Sequence, residues 1–256
     1  MRSLMAQENL PEVYKEIDRA IQSSVNVILE GESGVGKDYF ARLIYEGRNW
    51  GGELWVYDCE RTDRDQTRTV EQLTSPVFFQ KLGRSQKKDT VFIRRIDLLQ
   101  AHLLAQLSDF LEELGKRGVF PRSKLLSLGI IGSLETRREK ELSINIPLHR
   151  FLNSLFCAKI RVPPLKERKK EIPRLIERFI SLFNKEQKRN IFGITPDALA
   201  ILLQYDWPDN ICELRTEIER AATLIKDCGS IKPSALSEKL TKSVLETRSL
   251  HKSGKV

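Results

Sequence analysis

Apolar residues recur along this chain at two spacings, and the spacing changes partway through. Leu10, Val13, Ile17 and Ile21 fall three or four apart, which predicts an amphipathic leading helix. Val25–Leu29 then forms an apolar run of strand length, and Leu54–Tyr57, Thr90–Ile93 and Leu128–Ile131 repeat it. Helical stripes separate these runs, one with Phe40, Ala41 and Ile44, another with Leu103, Leu104, Leu107, Phe110 and Leu114. Such alternation predicts a parallel α/β core.

After Pro163-Pro164 the pattern turns helical throughout. Ile172, Leu175, Ile176, Phe179, Ile180 and Phe183 make one stripe. Thr195-Pro196 reads as a helix cap followed by proline at the first helical position. Asn210 and Glu213 have capping-box spacing ahead of Leu214, Ile218, Ala221 and Ile225. The predicted fold class is therefore α/β: a parallel sheet flanked by helices over residues 1–165, then a small all-α lid over 166–240. A basic tail, 241–256, is expected to be flexible.

Composition narrows the setting. With 256 residues and 40% hydrophobic content, the chain can bury a full core. No stretch approaches bilayer-spanning length, and "MRSLMAQENL" lacks the apolar segment of a secretion signal. Cys59, Cys157, Cys212 and Cys228 lie far apart, with no CxxC pair and no nearby histidine. No metal site and a reduced, cytoplasmic setting are expected. The net charge of +8 comes from bases interleaved with acids, as in "TRREKEL" and "KERKKEIPRLIER". That pattern describes solvated helix faces better than a nucleic-acid surface.

One stretch carries chemistry. In "VNVILEGESGVGKDYFARLIYEGR", a strand runs into a glycine-rich turn and a helix begins near Lys37. Gly31, Gly36 and Lys37 satisfy G-x-x-x-x-G-K, so Gly31, Glu32, Ser33, Gly34, Val35, Gly36, Lys37 and Asp38 are the candidate nucleotide-binding residues. The glycines let backbone N–H groups close around phosphate oxygens, while the helix N-terminus and Lys37 supply positive potential. The hydroxyl residue that usually follows the lysine and holds Mg²⁺ is replaced by Asp38.

"GESGVGKD" resembles the AAA+ domain of bacterial enhancer-binding proteins, the activators of sigma-54 RNA polymerase, where an acid after the lysine is normal. "LWVYDCE" (54–60), "IRVPPLKERKKEIPRL" (160–175) and "YDWPDNICELRTEIERA" (205–221) are similar to further motifs of that family, in the same order. The resemblance covers roughly residues 10–235. It implies a P-loop AAA+ core with a helical lid, ATP as cofactor, and a role in transcription regulation.

It also exposes what has been replaced. The family's third strand ends in Asp-Glu, for Mg²⁺ and for the attacking water; here "DTVFIRRI" puts Arg94 and Arg95 there, a degenerate Walker B. Arg94 repels a metal, and an arginine is no general base. Asp89 lies at the wrong end of the strand and Asp97 past the turn, so neither is expected to substitute. The family's second-strand Asn corresponds to Asp58, which suggests an Asp58–Arg95 ion pair. The positions of the family's inter-subunit arginines fall on Leu148 and Ser154, its lid arginine on Cys212 and the lid glycine on Asp209. The polar sensor position falls near Leu134-Glu135.

The sigma-contacting G-A-F-T-G-A loop has no counterpart, since no glycine occurs between Gly52 and Gly83. Phe78-Phe79 offers a binding edge or, more simply, a locally packed helix. After Lys232, Leu236, Leu240 and Val244 allow about one helix, too little for a helix-turn-helix.

The sequence thus reads as a pseudo-ATPase with no catalytic residues. It is expected to bind ATP without requiring Mg²⁺, with Arg94 itself helping to neutralise the triphosphate. Its partner is expected to be a protein, either an AAA+ activator or a second copy of this chain. Sigma-54 contact, sequence-specific DNA binding and membrane association are not expected. The alternatives are an active ATPase remodelling sigma-54 polymerase, or a basic nucleic-acid-binding scaffold with a relic P-loop.

Overall fold

A computed structural model describes residues 11–75, 87–116, 128–136, 146–155, 157–225 and 228–240. Leu10, Phe78-Phe79, Val244 and the tail 241–256 lie outside the described residues. The chain divides into two compact units, the first being Glu12–Glu32 with Gly36–Val162. The second is the chain from Pro163 onward together with the three residues Ser33–Val35.

The first unit holds a five-stranded, all-parallel sheet in the order β2-β3-β4-β1-β5. Its strands are β1 (Asn26–Gly31), β2 (Gly51–Asp58), β3 (Lys88–Arg94), β4 (Leu128–Glu135) and β5 (Cys157–Arg161). Among the described residues five helices accompany them: α1 (Pro11–Ser23), α2 (Lys37–Arg48), α3 (Asp63–Thr74), α4 (Ala101–Lys116) and α5 (Ile146–Ser154).

The interior strand β1 is apolar because helices cover both faces, and Val27, Ile28 and Leu29 are fully buried. The stripes found in the sequence do face inward: Val13 and Ile17 from α1, Phe40, Ala41 and Ile44 from α2, Leu103, Leu104 and Leu107 from α4. At 25 cal/mol per Å², each of these side chains larger than alanine contributes about 1.5–3 kcal/mol.

Helices α3 and α5 and strand β5 were not anticipated. Their apolar faces are short, and α3 buries only Gln66, Val70 and Leu73 on its inner side. Its start is nevertheless built by a cap, because the Thr62 hydroxyl accepts from the Asp65 N–H.

The second unit is helical, with α6 (Ile172–Gln187), α7 (Pro196–Gln204) and α8 (Asn210–Thr223) around a core that includes Trp207, Ile176, Leu214 and Ile231. The Thr195 cap with Pro196 behind it is present. Two short parallel strands, β6 (Asn190–Ile194) and β7 (Cys228–Ile231), are an addition to the expected helices. Each offers a single well-buried residue, Ile191 and Ile231, too little for a recognisable pattern. The start of α8 also differs from expectation. Asp209 is the cap residue, and the Glu213 carboxylate accepts from the Asp209 N–H at 3.1 Å. Asn210 is freed for other work.

Candidate nucleotide site

The glycine turn leaves β1 at Gly31 and feeds α2, whose cap residue Gly36 has φ +91° and no side chain. No side-chain oxygen therefore competes for the first-turn N–H groups, which is the condition an anion site needs. Lys37 is buried at the head of α2, and its Nζ donates to the carbonyls of Gly31 (2.8 Å) and Glu32 (2.7 Å). Burial pushes its pKa down, and nearby Arg95 adds to this. Glu135, Asp97 and Asp38 oppose it.

Ser33–Val35 are held inside the second unit by their backbone carbonyls. Asn210 Nδ2 donates to Ser33 O at 2.9 Å, the Ile211 N–H to Gly34 O at 3.0 Å, and Arg168 to Val35 O at 2.5 Å. Asn210 Oδ1 also accepts from the Leu165 N–H at 2.7 Å, so this buried amide ties two backbone segments together. Gly34 has φ +72°, and a Cβ there would collide with the Asp209 carbonyl oxygen. Only glycine fits.

At the end of β3 the two arginines part company. Arg94 is in register with Asp58 of β2, and directly paired residues of parallel strands point to the same face. Its guanidinium meets Asp58 at 3.5 Å and also forms an ion pair with Asp38. Arg95 has left the strand, with φ +52°, and heads the short turn Ile96–Leu98. Its N–H donates to Ser133 Oγ at 3.0 Å, and its guanidinium reaches Asp97 (3.0 Å), Glu135 (2.8 Å) and Glu60 (3.7 Å).

Three expectations are thereby corrected. Asp58 pairs with Arg94 and not with Arg95, because register and the left-handed turn send the two side chains apart. Asp97, expected past the turn, lies within it, and its carboxylate folds back onto Arg95. The Arg94 charge is also matched already by Asp38 and Asp58, so it is not a free cation for a triphosphate.

Asp97 has a fully buried side chain, while Glu135 is paired in register with Gly31 at the mouth of the turn. Burial disfavours the charge on Arg95, but the hydrogen bond to Asp97 and the charges of Asp97, Glu135 and Glu60 outweigh it, and its pKa is raised. Sequence reasoning missed Asp97 and Glu135 as partners. The signal available was Glu135 itself, at the end of the strand next to β1.

Of the remaining family positions, Asp209 and Cys212 lie against Gly34 of the turn, and the others do not reach it. Leu148 is buried in the core of the first unit, and Ser154 bonds the Phe151 carbonyl within its own helix. Cys212 and Asp209 are exposed. Among the described residues no helix is long and apolar enough to cross a membrane.

Sheet order, glycine turn and helical second unit define an AAA+ protein. The family model described as the Sigma-54 interaction domain matches residues 4–68, and that of the AAA+ ATPase lid domain matches residues 166–253. The chain is 26% identical over 237 residues to the Nif-specific regulatory protein of Herbaspirillum seropedicae, covering 85% of this chain and 42% of that one. It is 28% identical over 236 residues to the phenol regulator MopR of Acinetobacter guillouiae, covering 86% and 41%. The chain thus spans under half the length of these relatives. Its fold matches NtrX from Brucella abortus, crystallised in complex with ATP, with TM-score 0.71 and 18% identity over 93% of this chain and 56% of that one. The chain belongs to the sigma-54-activator-like AAA+ proteins.

Proposed function

We propose that this chain is a pseudo-ATPase: a nucleotide-binding module that holds ATP without hydrolysing it and regulates a protein partner in transcription. The observation carrying this reading is the guanidinium of Arg94 lodged between Asp38 and Asp58, at the position where the family resemblance implies a metal-holding aspartate. The guanidinium fills the space between these two carboxylates and supplies the counter-charge that a metal ion would otherwise supply. Arg95, locked to Asp97 and Glu135, stands where a general base is needed and supplies none.

The residues for nucleotide itself fit. The uncapped start of α2 and the buried ammonium of Lys37, resting on two carbonyls it can exchange for phosphate oxygens, suit a polyanion. Bound ATP would supply the polyphosphate charge, with Gly31 to Asp38 holding it and no metal required. In this reading residues 1–165 serve as the nucleotide core, 166–240 as the lid, and the setting is the cytoplasm. The partner is an AAA+ activator or a second copy of this chain, and nucleotide shifts the population of the state that engages it.

Calorimetric titration with ATP, with Mg²⁺ and with chelator, beside Lys37→Ala, tests the proposal. Similar affinity in both conditions, lost in the variant and unaccompanied by turnover, supports it. Binding that demands Mg²⁺, or steady-state hydrolysis abolished by Lys37→Ala, overturns it. So does the absence of any nucleotide binding, which makes the loop a relic.

A further inference from the structure

A cavity of about 440 Å³ opens in the first unit beside the edge strand β2, at the strand ends where Asp58 and Arg94 stand. Its walls come from the end of β2 and from one face of α3. Asp65, Arg68, Thr69 and Gln72 line it at spacings of three, four and seven, a single helical stripe. Gln66, Val70 and Leu73 form the neighbouring stripe that is buried in the core, so the cavity stripe is fixed by the same packing. Arg61 joins it just ahead of the Thr62 cap.

The charges in this cavity are unevenly satisfied. Asp65 accepts the Thr62 hydroxyl at 2.8 Å, and Asp58 accepts the Glu60 N–H at 3.0 Å and faces Arg94. Asp58 is matched by Arg94 and Asp65 keeps its charge, so the lining carries three arginines against two acids. Arg61 and Arg68 are exposed, and neither has a carboxylate partner among the described residues. The α3 N-terminus adds positive potential on the same side. The Thr69 hydroxyl and Gln72 amide add donors, and half-exposed Val56 adds an apolar wall.

We propose that this cavity is a second anion site, which binds a small phosphate-bearing molecule through Arg61 and Arg68. Guanidinium forks match phosphate oxygens in pairs, which favours phosphate over a spherical anion. The volume falls in the range of small-molecule pockets, about 300–1,000 Å³. Arg94 lines the cavity and also pairs with Asp38 beside Lys37. Occupancy is thereby wired to the glycine turn, although binding here does not depend on nucleotide binding there.

The test uses pyrophosphate as probe and Lys37→Ala as background, so that the glycine turn does not report. Calorimetry on this protein is expected to show one remaining site, weakened about tenfold or more by Arg61→Gln with Arg68→Gln. Arg64→Gln, the loss of one charge on α3 outside the cavity, is expected to leave it unchanged. Arg68→Lys, which keeps charge and loses the fork, is expected to fall between. No binding in the Lys37→Ala background overturns the proposal, as does an equal loss from Arg64→Gln. Binding untouched by the double substitution overturns it as well. All three positions are exposed, and circular dichroism checks that each variant stays folded.

Discussion

Asp58 faces Arg94 across the β2–β3 pair at 3.5 Å because their Cα positions are in register. With Asp38 on its other side, the guanidinium is a resident cation between two carboxylates. Removing it in Arg94→Ala leaves two hard oxygen ligands with no counter-charge, which suits a divalent cation. In that variant Mg²⁺ is expected to tighten ATP binding about tenfold, one Coulombic contact at moderate dielectric, while wild type shows no such effect. Turnover is not expected, because Arg95 remains. Calorimetry with and without Mg²⁺ decides, and a variant as indifferent to Mg²⁺ as wild type would sink the resident-cation reading. The stability cost is small, within about 1 kcal/mol, since both partners are solvent-screened.

The Arg95 cluster behaves differently because it is less exposed. Its guanidinium is 17% exposed, Glu135 14%, and the Asp97 side chain not at all. Asp97→Ala removes the fully buried one of the three carboxylates around Arg95 and is expected to cost about 2–3 kcal/mol in urea unfolding. Glu135→Gln keeps Asp97 in place and is expected to cost about 1–2 kcal/mol. Equal, sub-kilocalorie effects from both would show the cluster to be solvated.

A restored acid pair tests the same geometry from the other side. Arg94→Asp with Arg95→Glu rewrites the strand end to the family's residues. In this chain the new glutamate would meet Asp97 and Glu135, three carboxylates converging where one cation stood. The double variant is expected to lose about 2 kcal/mol or more and to show no ATP turnover. Phosphate release at a rate well above wild type would mean that the two arginines alone block hydrolysis.

How far the sequence revealed this site depends on the range of the forces involved. The glycine turn was legible because a strand, a left-handed turn and a helix start are local. Gly34 and Gly36 do take positive φ. The stripes of α1, α2, α4, α6 and α8 were legible for the same reason. Partnering of Arg94 and Arg95 was not, because it depends on strand register and on one left-handed residue, Arg95, outside the glycine repertoire. Helix α3 escaped notice because its core face rests on a glutamine, Gln66, hydrogen-bonded to Cys59 O and Leu98 O. No hydrophobic pattern announces that.

Cysteine chemistry gives an independent check on packing. Cys59 is buried, and burial together with the charges of Asp58 and Asp97 pushes its thiol up to about 12. Its thiolate fraction near neutrality falls about a thousandfold below that of an ordinary thiol. Cys212 and Cys228 are exposed. Iodoacetamide under native conditions is expected to label these two rapidly and to spare Cys59 until urea is added. Early labelling of Cys59, read by peptide mass spectrometry, would contradict the packing beneath β2.

Lys37 gives the last prediction, and its sign follows from linkage. Burial lowers its pKa in the folded chain below the ordinary 10.5. At lower pH both states carry the proton, and folding bears the cost of burying the charge. As pH rises toward 10.5 the folded protein releases its proton first, so the unfolded state binds more and stability increases with pH. Lys37→Met, which has no proton to lose, is expected to lack this rise; the difference in unfolding free energy between the two proteins therefore slopes in that window. Phosphate binding runs the opposite way, because it needs the charged amine. ATP affinity is expected to fall over the same window in wild type and to stay level in Lys37→Arg. A flat difference in stability combined with a level affinity would mean that Nζ is solvated and not seated on the Gly31 and Glu32 carbonyls.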